Sequence, residues 1–280
     1  MGWIDFILNL AGLLLWFNWR SMGFAQSTPS AQNPLLRTLK RPEAVRSQRW
    51  LYFLGLMALM FFRPVVYGHL GSALSWTPHL QLNVLTLPFR SDLRDRMVCF
   101  SFLSFGLALF VLYAWLLLLS VLNRAETEAD PLQKLVSLHL GRLDRWPTVI
   151  KLLLPTVVGG LLWVVLAPLL AKIGILPPSG SAARTWQQAL VIGLAAPLAW
   201  KWLLIGLLLL HLLNSYVYLG ESPLWRFVSL SARHVLKPLD SFPSRLGKVD
   251  LAPAFAMALI LLAAEVGSRV LTELYAKLVS

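Results

Sequence analysis

The chain has 280 residues, of which 57% are hydrophobic and 14% are charged, and its mean hydropathy is +0.66. Because about a quarter of the residues of a soluble domain are charged, this composition excludes an ordinary soluble protein and predicts an integral membrane protein. The net charge of +12 suggests nucleic acid, but the cations lie between apolar segments, a pattern that favours anionic lipid headgroups instead. The single cysteine, Cys99, excludes an internal disulfide and a Cys-x-x-Cys metal or haem site.

Six apolar segments approach the length of about twenty residues that crosses a bilayer. The first is the shortest, and its length also fits a signal peptide. Asp5, however, stands where such a leader needs basic residues, so we interpret this segment as a span. The expected fold is all-α, with about six transmembrane helices. The segments lie at 3–17, 50–67, 98–122, 149–171, 190–213 and 251–271.

A short motif recurs after three of these segments: Asn33-Pro34-Leu35, Asp130-Pro131-Leu132 and Ser222-Pro223-Leu224. Asn, Asp and Ser are good helix N-caps and proline suits the first helical position, so each motif predicts a helix start. The runs LLLLSVLN and LLLLHLLN precede the second and third copies. Such internal similarity predicts three tandem helix-loop-helix units at 1–97, 98–185 and 186–280, of which the first is the weakest repeat.

The cations are concentrated in the three loops that carry the motifs. The positive-inside rule therefore predicts that these loops are cytoplasmic and that both termini are outside. The other two connections carry fewer cations, chiefly Arg90, Arg94, Arg96 and Arg184.

The sequence after each of the last two motifs is amphipathic at helical spacing. In the third copy one side is apolar, with Leu224 and Phe227 among its residues, and the other is basic. Such a helix lies in the headgroup plane with its cations facing lipid, or it packs under the bundle as a structural belt. The basic residues are Arg226, Arg233 and Lys237.

A set of spaced residues occupies the last third of the chain, namely Asn214, Pro223, Lys237, Pro238, Asp250 and Pro253. In order and spacing the stretch 207–264 resembles the YggT (YlmG) family of small membrane proteins. Lys237 replaces the family's arginine and Ala252 replaces its serine. The middle unit keeps Asn123 and Pro131, but Leu153-Leu154-Pro155 stands where the aspartate is expected.

The motif residues also have simpler explanations. Asp250 can cap the last span, since its charge favours the positive end of the helix dipole. Asn123 and Asn214 can end their spans, or they can form a hydrogen bond with each other between units. Gly159 and Gly160 are expected to permit close helix packing.

Two charged residues lie within predicted spans, Lys201 between Trp200 and Trp202, and Glu265 on the following span. Their distances from the cytoplasmic end are similar, so they can pair, and an intramembrane ion is a functional candidate. The alternative is that Lys201 belongs to an aromatic belt at the outer interface and Glu265 pairs with Arg269.

We expect no enzyme, no cofactor and no metal site, because the five histidines, among them His211, have no acidic or cysteine companions at ligand spacing. The expected function is that of a membrane organiser or assembly factor, acting through the basic helices. The family resemblance implies this class, because members of the family are associated with cell division and with the biogenesis of membrane complexes. The resemblance also implies the alternative function, that of a transporter or ion-transport accessory protein in osmotic stress tolerance. The expected partners are anionic lipid and an unknown protein, without direct nucleic acid binding, and a homo-oligomer is compatible. The expected location is the bacterial inner membrane.

Overall fold

The computed structural model describes residues 2–27, 42–74, 77–89, 93–124, 131–177, 180–217, 222–239, 245–246 and 249–279. Helices dominate these ranges. The long ones are α1 (Gly2–Ser27), α2 (Pro42–Leu74), α3 (Arg94–Leu122), α5 (Thr148–Lys172), α6 (Ala182–Ala195), α7 (Trp200–Tyr216) and α9 (Ala252–Val279). Helices α4 (Pro131–Leu140) and α8 (Pro223–Leu236) lie between the helices that belong to spans. The strands are β1 (His79–Gln81), β2 (Thr86–Pro88), β3 (Arg245–Leu246) and β4 (Val249–Asp250). They form two sheets of two strands each: β1 pairs with β2, and β3 pairs with β4 in antiparallel orientation.

Within the described ranges, five helical segments are long and apolar enough to cross a membrane. They confirm an all-α, multi-pass membrane protein, and they coincide with the second to sixth predicted spans. Helix α1 is continuous but is not among them. The five are Arg49–His69, Arg94–Leu122, Thr148–Lys172, Ala182–Tyr216 and Ala252–Leu278.

The chain forms two compact units, whose boundaries fall within β1, within β2 and inside α3. Unit 1 comprises Met1–Leu80 with Pro88–Leu109, and unit 2 comprises Gln81–Leu87 with Phe110–Ser280. The predicted boundaries at 97/98 and 185/186 stay predictions.

In unit 1, α1 packs antiparallel along α2, beside the first half of α3. Leu56 and Met60 of α2 are buried against Phe105 of α3, and the α1 residues Leu13 and Trp16 cover them. This contact extends over much of the length of α1, because large apolar side chains lie at helical spacing on both helices.

In unit 2, α5 and α6 approach closely through glycines. A Cβ on Gly160 would lie 3.0 Å from the carbonyl oxygen of Ala189, and one on Gly193 would lie 2.5 Å from that of Thr156. A Cβ on Gly159 would lie 3.4 Å from the Cβ of Ala196. The expectation that Gly159 and Gly160 permit close packing is confirmed.

The segment from α6 to α7 is interrupted by a 3₁₀ turn at Ala196–Ala199, with Pro197 near its start. Proline is tolerated there because the first turn of a helix needs no intrahelical N–H donor. The turn is held from outside, since the indole N–H of Trp115 donates to the carbonyl oxygen of Ala199 (2.9 Å). The amide of Asn83 donates to the carbonyl oxygen of Ala195 (3.3 Å).

Two of the three predicted helix starts are confirmed. Helix α4 begins at Pro131 and α8 begins at Pro223, directly after Ser222. The hydroxyl of Ser222 makes no capping hydrogen bond, so its extended backbone conformation, rather than its side chain, sets the start. Asn33-Pro34-Leu35 and Asp130 lie outside the described residues.

The apolar side of α8 is buried against protein. Phe227 packs with Leu116 and Leu117 of α3, and Ala232 packs with Leu208 of α7 and Ala256 of α9. Of the two explanations for the amphipathic pattern, packing under the bundle as a structural belt applies to this side of the helix. Leu224, at the start of the helix, is 49% exposed.

Candidate functional site

A network of charged and polar side chains is buried in unit 1. Arg63 of α2 is completely buried, and its Nη2 atom donates to Oδ1 of Asp5 on α1 at 2.5 Å. The hydroxyl of Tyr67 accepts from Nε of Arg63 (3.1 Å) and donates to the same carboxylate oxygen (2.7 Å). One arginine and one tyrosine of α2 therefore hold a carboxylate of α1.

The second oxygen of Asp5 is also satisfied. Ser104 of α3 donates to Oδ2 (2.8 Å), and Nδ2 of Asn9 donates to the same atom at 3.2 Å. The amide of Asn9 also accepts from Nη1 of Arg63 (3.0 Å) and donates to Ser104 (2.9 Å). All five side chains are linked, so the charges of Arg63 and Asp5 are compensated within the network, in which Arg63 is fully buried and Asp5 is 23% exposed.

Burial of the Asp5–Arg63 ion pair costs free energy unless both charges are present. An uncompensated charge in a membrane span costs about 2.5–3.5 kcal/mol on insertion scales. Breaking a buried pair by removing one partner costs about 3–5 kcal/mol. The arrangement therefore makes α1 and α2 depend on each other.

A second buried ion pair lies in unit 2. The ammonium of Lys151, in the first turn of α5, donates to Ser120 of α3 (2.6 Å) and to Oδ1 of Asp144 (3.3 Å). Ser120 in turn donates to Oδ1 of Asp144. The Lys151 side chain is only 4% exposed. The pair ties the end of α3 to the start of α5.

A serine beside a lysine also occurs in hydrolytic sites, where a neutral lysine acts as the base. Here the geometry differs, because Lys151 donates to Ser120 and Asp144 accepts from both. Ser120 is 2% exposed, which leaves it inaccessible to a substrate. The arrangement fits a structural clamp.

The motif asparagines both contact α8. Nδ2 of Asn123 donates to Ser231 at 2.7 Å, and both residues are completely buried. Nδ2 of Asn214 donates to Ser229 at 3.4 Å. The two asparagines are therefore not bonded to each other, because the amide nitrogen of each donates to a serine of α8 instead. Within the described residues, the amide oxygens of both lack a hydrogen-bond partner.

The basic residues of α8 and of the turn that follows it are on the exposed side of the helix. Arg226, Arg233 and Lys237 are all exposed, while the opposite side of the helix is buried. Their spacings of seven and four residues place them on one stripe, about 16 Å long at 1.5 Å per residue. We name these three residues the basic stripe. Pro238 follows it in a 3₁₀ turn, Lys237–Leu239.

Lys201 and Glu265 do not pair with each other. The ammonium of Lys201 lies 5.3 Å from the ring centroid of Trp202. Glu265 accepts from Nε of Arg269 at 2.7 Å, and both side chains are more than half exposed. Both residues therefore make the contacts of the simpler alternative, a lysine beside interfacial tryptophan and a pair one helical turn apart.

The predicted cap at Asp250 stays a prediction. Its backbone pairs with Arg245 in the β3–β4 ladder, and α9 begins two residues later at Ala252, with Pro253 in its first turn. The side chain of Asp250 lies outside the described residues.

Sequence reasoning missed both buried ion pairs. The sequence feature that could have predicted the first pair is the presence of opposite charges, Asp5 and Arg63, in two consecutive predicted spans. Lys151 likewise lies at the start of a predicted span, seven residues after Asp144. The partners could not be assigned from the sequence, because pairing depends on which faces of the helices meet.

Three histidines, cysteines or acids that could hold one metal ion do not come together anywhere in the described part of the chain. Comparisons with protein-family models, with curated proteins and with solved structures find no match for this chain.

Proposed function

We propose that this protein is a non-enzymatic membrane scaffold, an organiser or assembly factor that binds anionic lipid headgroups through the basic stripe. The observation that carries the proposal is the seating of α8. Its apolar side is buried against α3, α7 and α9, and two asparagines hold it by hydrogen bonds. The docked helix therefore presents the three cations on its exposed side.

Cations on a docked helix suit headgroup binding for two reasons. Each lysine or arginine near an anionic surface contributes about 1 kcal/mol. A helix that is already folded and docked loses little conformational entropy when lipid binds. A partner protein with an acidic surface would meet the same stripe, and it is the alternative occupant.

Lipid retention tests this proposal. We expect the triple variant Arg226→Gln, Arg233→Gln, Lys237→Gln to retain several-fold less phosphatidylglycerol than the unaltered chain, measured by native mass spectrometry after detergent exchange. Phosphatidylcholine retention is expected to stay the same, because it has no net charge.

The matched control removes three exposed cations elsewhere, with Arg94→Gln, Lys172→Gln and Arg184→Gln. It is expected to keep the phosphatidylglycerol. Equal loss in both triple variants would mean that net charge, rather than the basic stripe, governs retention, and it would contradict the proposal.

The architecture that we propose with this function has six spans in three tandem units. Its support is the recurring order of a span, an asparagine, a helix that begins with Pro-Leu, and a next span, in α3–α4–α5 and again in α7–α8–α9. The same order supports the proposal that the chain is a distant relative of the YggT family. We place the motif loops in the cytoplasm, the termini outside, and the protein in a bacterial inner membrane.

The alternative function, a transporter or ion-transport accessory, is favoured by the charges buried in unit 1. Those charges are fully paired, and every carboxylate oxygen of Asp5 is occupied. We therefore prefer the scaffold. A potassium flux in proteoliposomes that Lys201→Leu abolishes would overturn this choice.

A further inference from the structure

Helix α1 lies beside α2 over the whole depth of the α2 span. Near one end of that span, Asp5 contacts Arg63 and Tyr67. Near the other, the ring centroids of Trp19 and Phe53 lie 5.6 Å apart. Trp19 follows Asp5 by fourteen positions, which correspond to about 21 Å of helix. The contacts run in antiparallel register throughout.

The middle of the contact is equally close. A Cβ on Gly12 would lie 2.8 Å from the ring of Phe105 and 3.5 Å from the methyl carbon of Met60. A Cβ on Gly55 would lie 3.8 Å from the side chain of Leu15. Gly12 therefore allows α1 to approach the ring of Phe105 closely, whereas the position of Gly55 is in ordinary van der Waals contact with Leu15.

Helix α1 carries a charge that must be compensated if the helix enters the bilayer. Asp5 lies in its first turn, and an uncompensated charge in a span costs about 2.5–3.5 kcal/mol on insertion scales. The outer side of α1 is strongly apolar, however, with exposed residues that suit lipid. These are Trp3, Phe6, Ile7, Leu10 and Leu14.

The carboxylate of Asp5 meets a prepared set of donors on the other two helices. Arg63, Tyr67 and Ser104 are each buried, and each donates to it at 2.5–2.8 Å. Tyr67 is held in turn by the guanidinium of Arg63 (3.0 Å) and by ring contact with Phe100. We name Arg63, Tyr67 and Ser104 the carboxylate socket.

We propose that the carboxylate socket lets α1 cross the membrane as the sixth span, because it binds Asp5 and compensates the charge that would otherwise keep α1 out of the bilayer. This inference rests on the six-span architecture proposed above. The ligand of the socket is a carboxylate, and the α1 helix delivers it. Insertion of α1 therefore follows insertion of α2 and α3, because the socket exists only when both are in place.

Cysteine labelling tests where the ends of α1 lie. In a Cys99→Ser background, Gly2→Cys and Ser21→Cys report the two ends to a membrane-impermeant maleimide in oriented vesicles. We expect the two cysteines to be labelled from opposite faces of the membrane. In Arg63→Leu, the unpaired carboxylate prevents crossing, and we expect the Gly2→Cys labelling from its original face to fall several-fold.

The double variant Asp5→Leu, Arg63→Leu controls for folding. It removes both charges, so α1 is expected to cross as in the unaltered chain. If both reporters of the unaltered chain react from one face, the six-span architecture fails. If they react from opposite faces in Arg63→Leu as well, the socket is overturned while the six spans stand.

Acetate provides a second measurement that does not depend on insertion of the Arg63 variant. In Asp5→Ala the socket lacks its carboxylate, and acetate is expected to raise the thermal midpoint of the purified protein in a concentration-dependent way. Chloride at equal ionic strength is expected to have no such effect, and neither is acetate on Asp5→Ala, Arg63→Leu. The absence of any difference between acetate and chloride would contradict carboxylate recognition.

Discussion

At the scale of single residues, two lysines of the spans, Lys151 and Lys201, have different surroundings in the structure. Lys151 and Lys201 both stand among apolar residues. Lys151 is buried with a carboxylate and a serine, whereas Lys201 lies beside a tryptophan ring. Tryptophan and lysine favour the interface, so Lys201 can reach water with its ammonium.

This difference predicts unequal costs of removing the two charges. We expect Lys151→Met to lower the free energy of unfolding by about 2–3 kcal/mol, because Asp144 and Ser120 lose their donor. Lys201→Met is expected to cost less than about 1 kcal/mol, the usual contribution of an exposed cation–π contact. Chemical denaturation in a defined micelle measures both.

The double variant Asp144→Asn, Lys151→Met is the control for this comparison. Because it leaves no unpaired charge, it is expected to recover part of the loss. Equal costs for the two single lysine variants would mean that the buried pair contributes no more than the surface contact.

At the scale of elements, the contact between α5 and α6 depends on backbone proximity. In a bilayer, helices gain little from apolar burial against each other, since lipid is equally apolar, so close packing and hydrogen bonds must hold them. Gly160 and Gly193 supply that proximity. Gly206 of α7 has open space around it instead.

Substitution of these glycines is expected to give opposite effects. In Gly193→Ala the new methyl group would lie 2.5 Å from the carbonyl oxygen of Thr156, so the helices must separate, at a cost of about 1–3 kcal/mol. Gly206→Ala meets nothing within 4 Å, and it is expected to stabilise its helix by up to about 1 kcal/mol. Thermal unfolding in detergent compares them, and a harmless Gly193→Ala would contradict the close contact.

Helix α8 illustrates what a pattern on one element can and cannot predict. Its amphipathic sequence correctly indicated a helix from Pro223 with Arg226 and Arg233 exposed on one side, and the exposed Lys237 follows directly after the last helical residue. Whether its apolar side met lipid or protein was open. Only the positions of Leu116, Leu208 and Ala256 on three other helices decided that it met protein.

At the scale of the whole molecule, the sidedness of the loops gives a direct prediction. The segment Ala182–Tyr216 separates Gly180 from Ser222, and both residues are exposed. In a Cys99→Ser background, we expect Gly180→Cys to react with an impermeant maleimide from outside and Ser222→Cys only after permeabilisation.

The turn at Ala196–Ala199 makes this a sharp test. The segment has 35 residues, which is longer than the roughly twenty that a bilayer requires. If both cysteines react from the same face, α6 and α7 form a hairpin and the predicted orientation is wrong. In that case the side of the membrane on which the N-terminal end of α1 lies has to be decided from the labelling of Gly2→Cys alone.

The sequence by itself determined the class of protein, five of the spans and two of the helix starts, because hydropathy over twenty residues and local capping chemistry are properties of short stretches of chain. Tertiary structure alone decided the pairing of Asp5 with Arg63 and of Lys151 with Asp144, the contact of Asn123 and Asn214 with α8, and the separation of Lys201 from Glu265. Each of these depends on which helix faces meet, and residues far apart in the chain set those faces through packing and complementary charge.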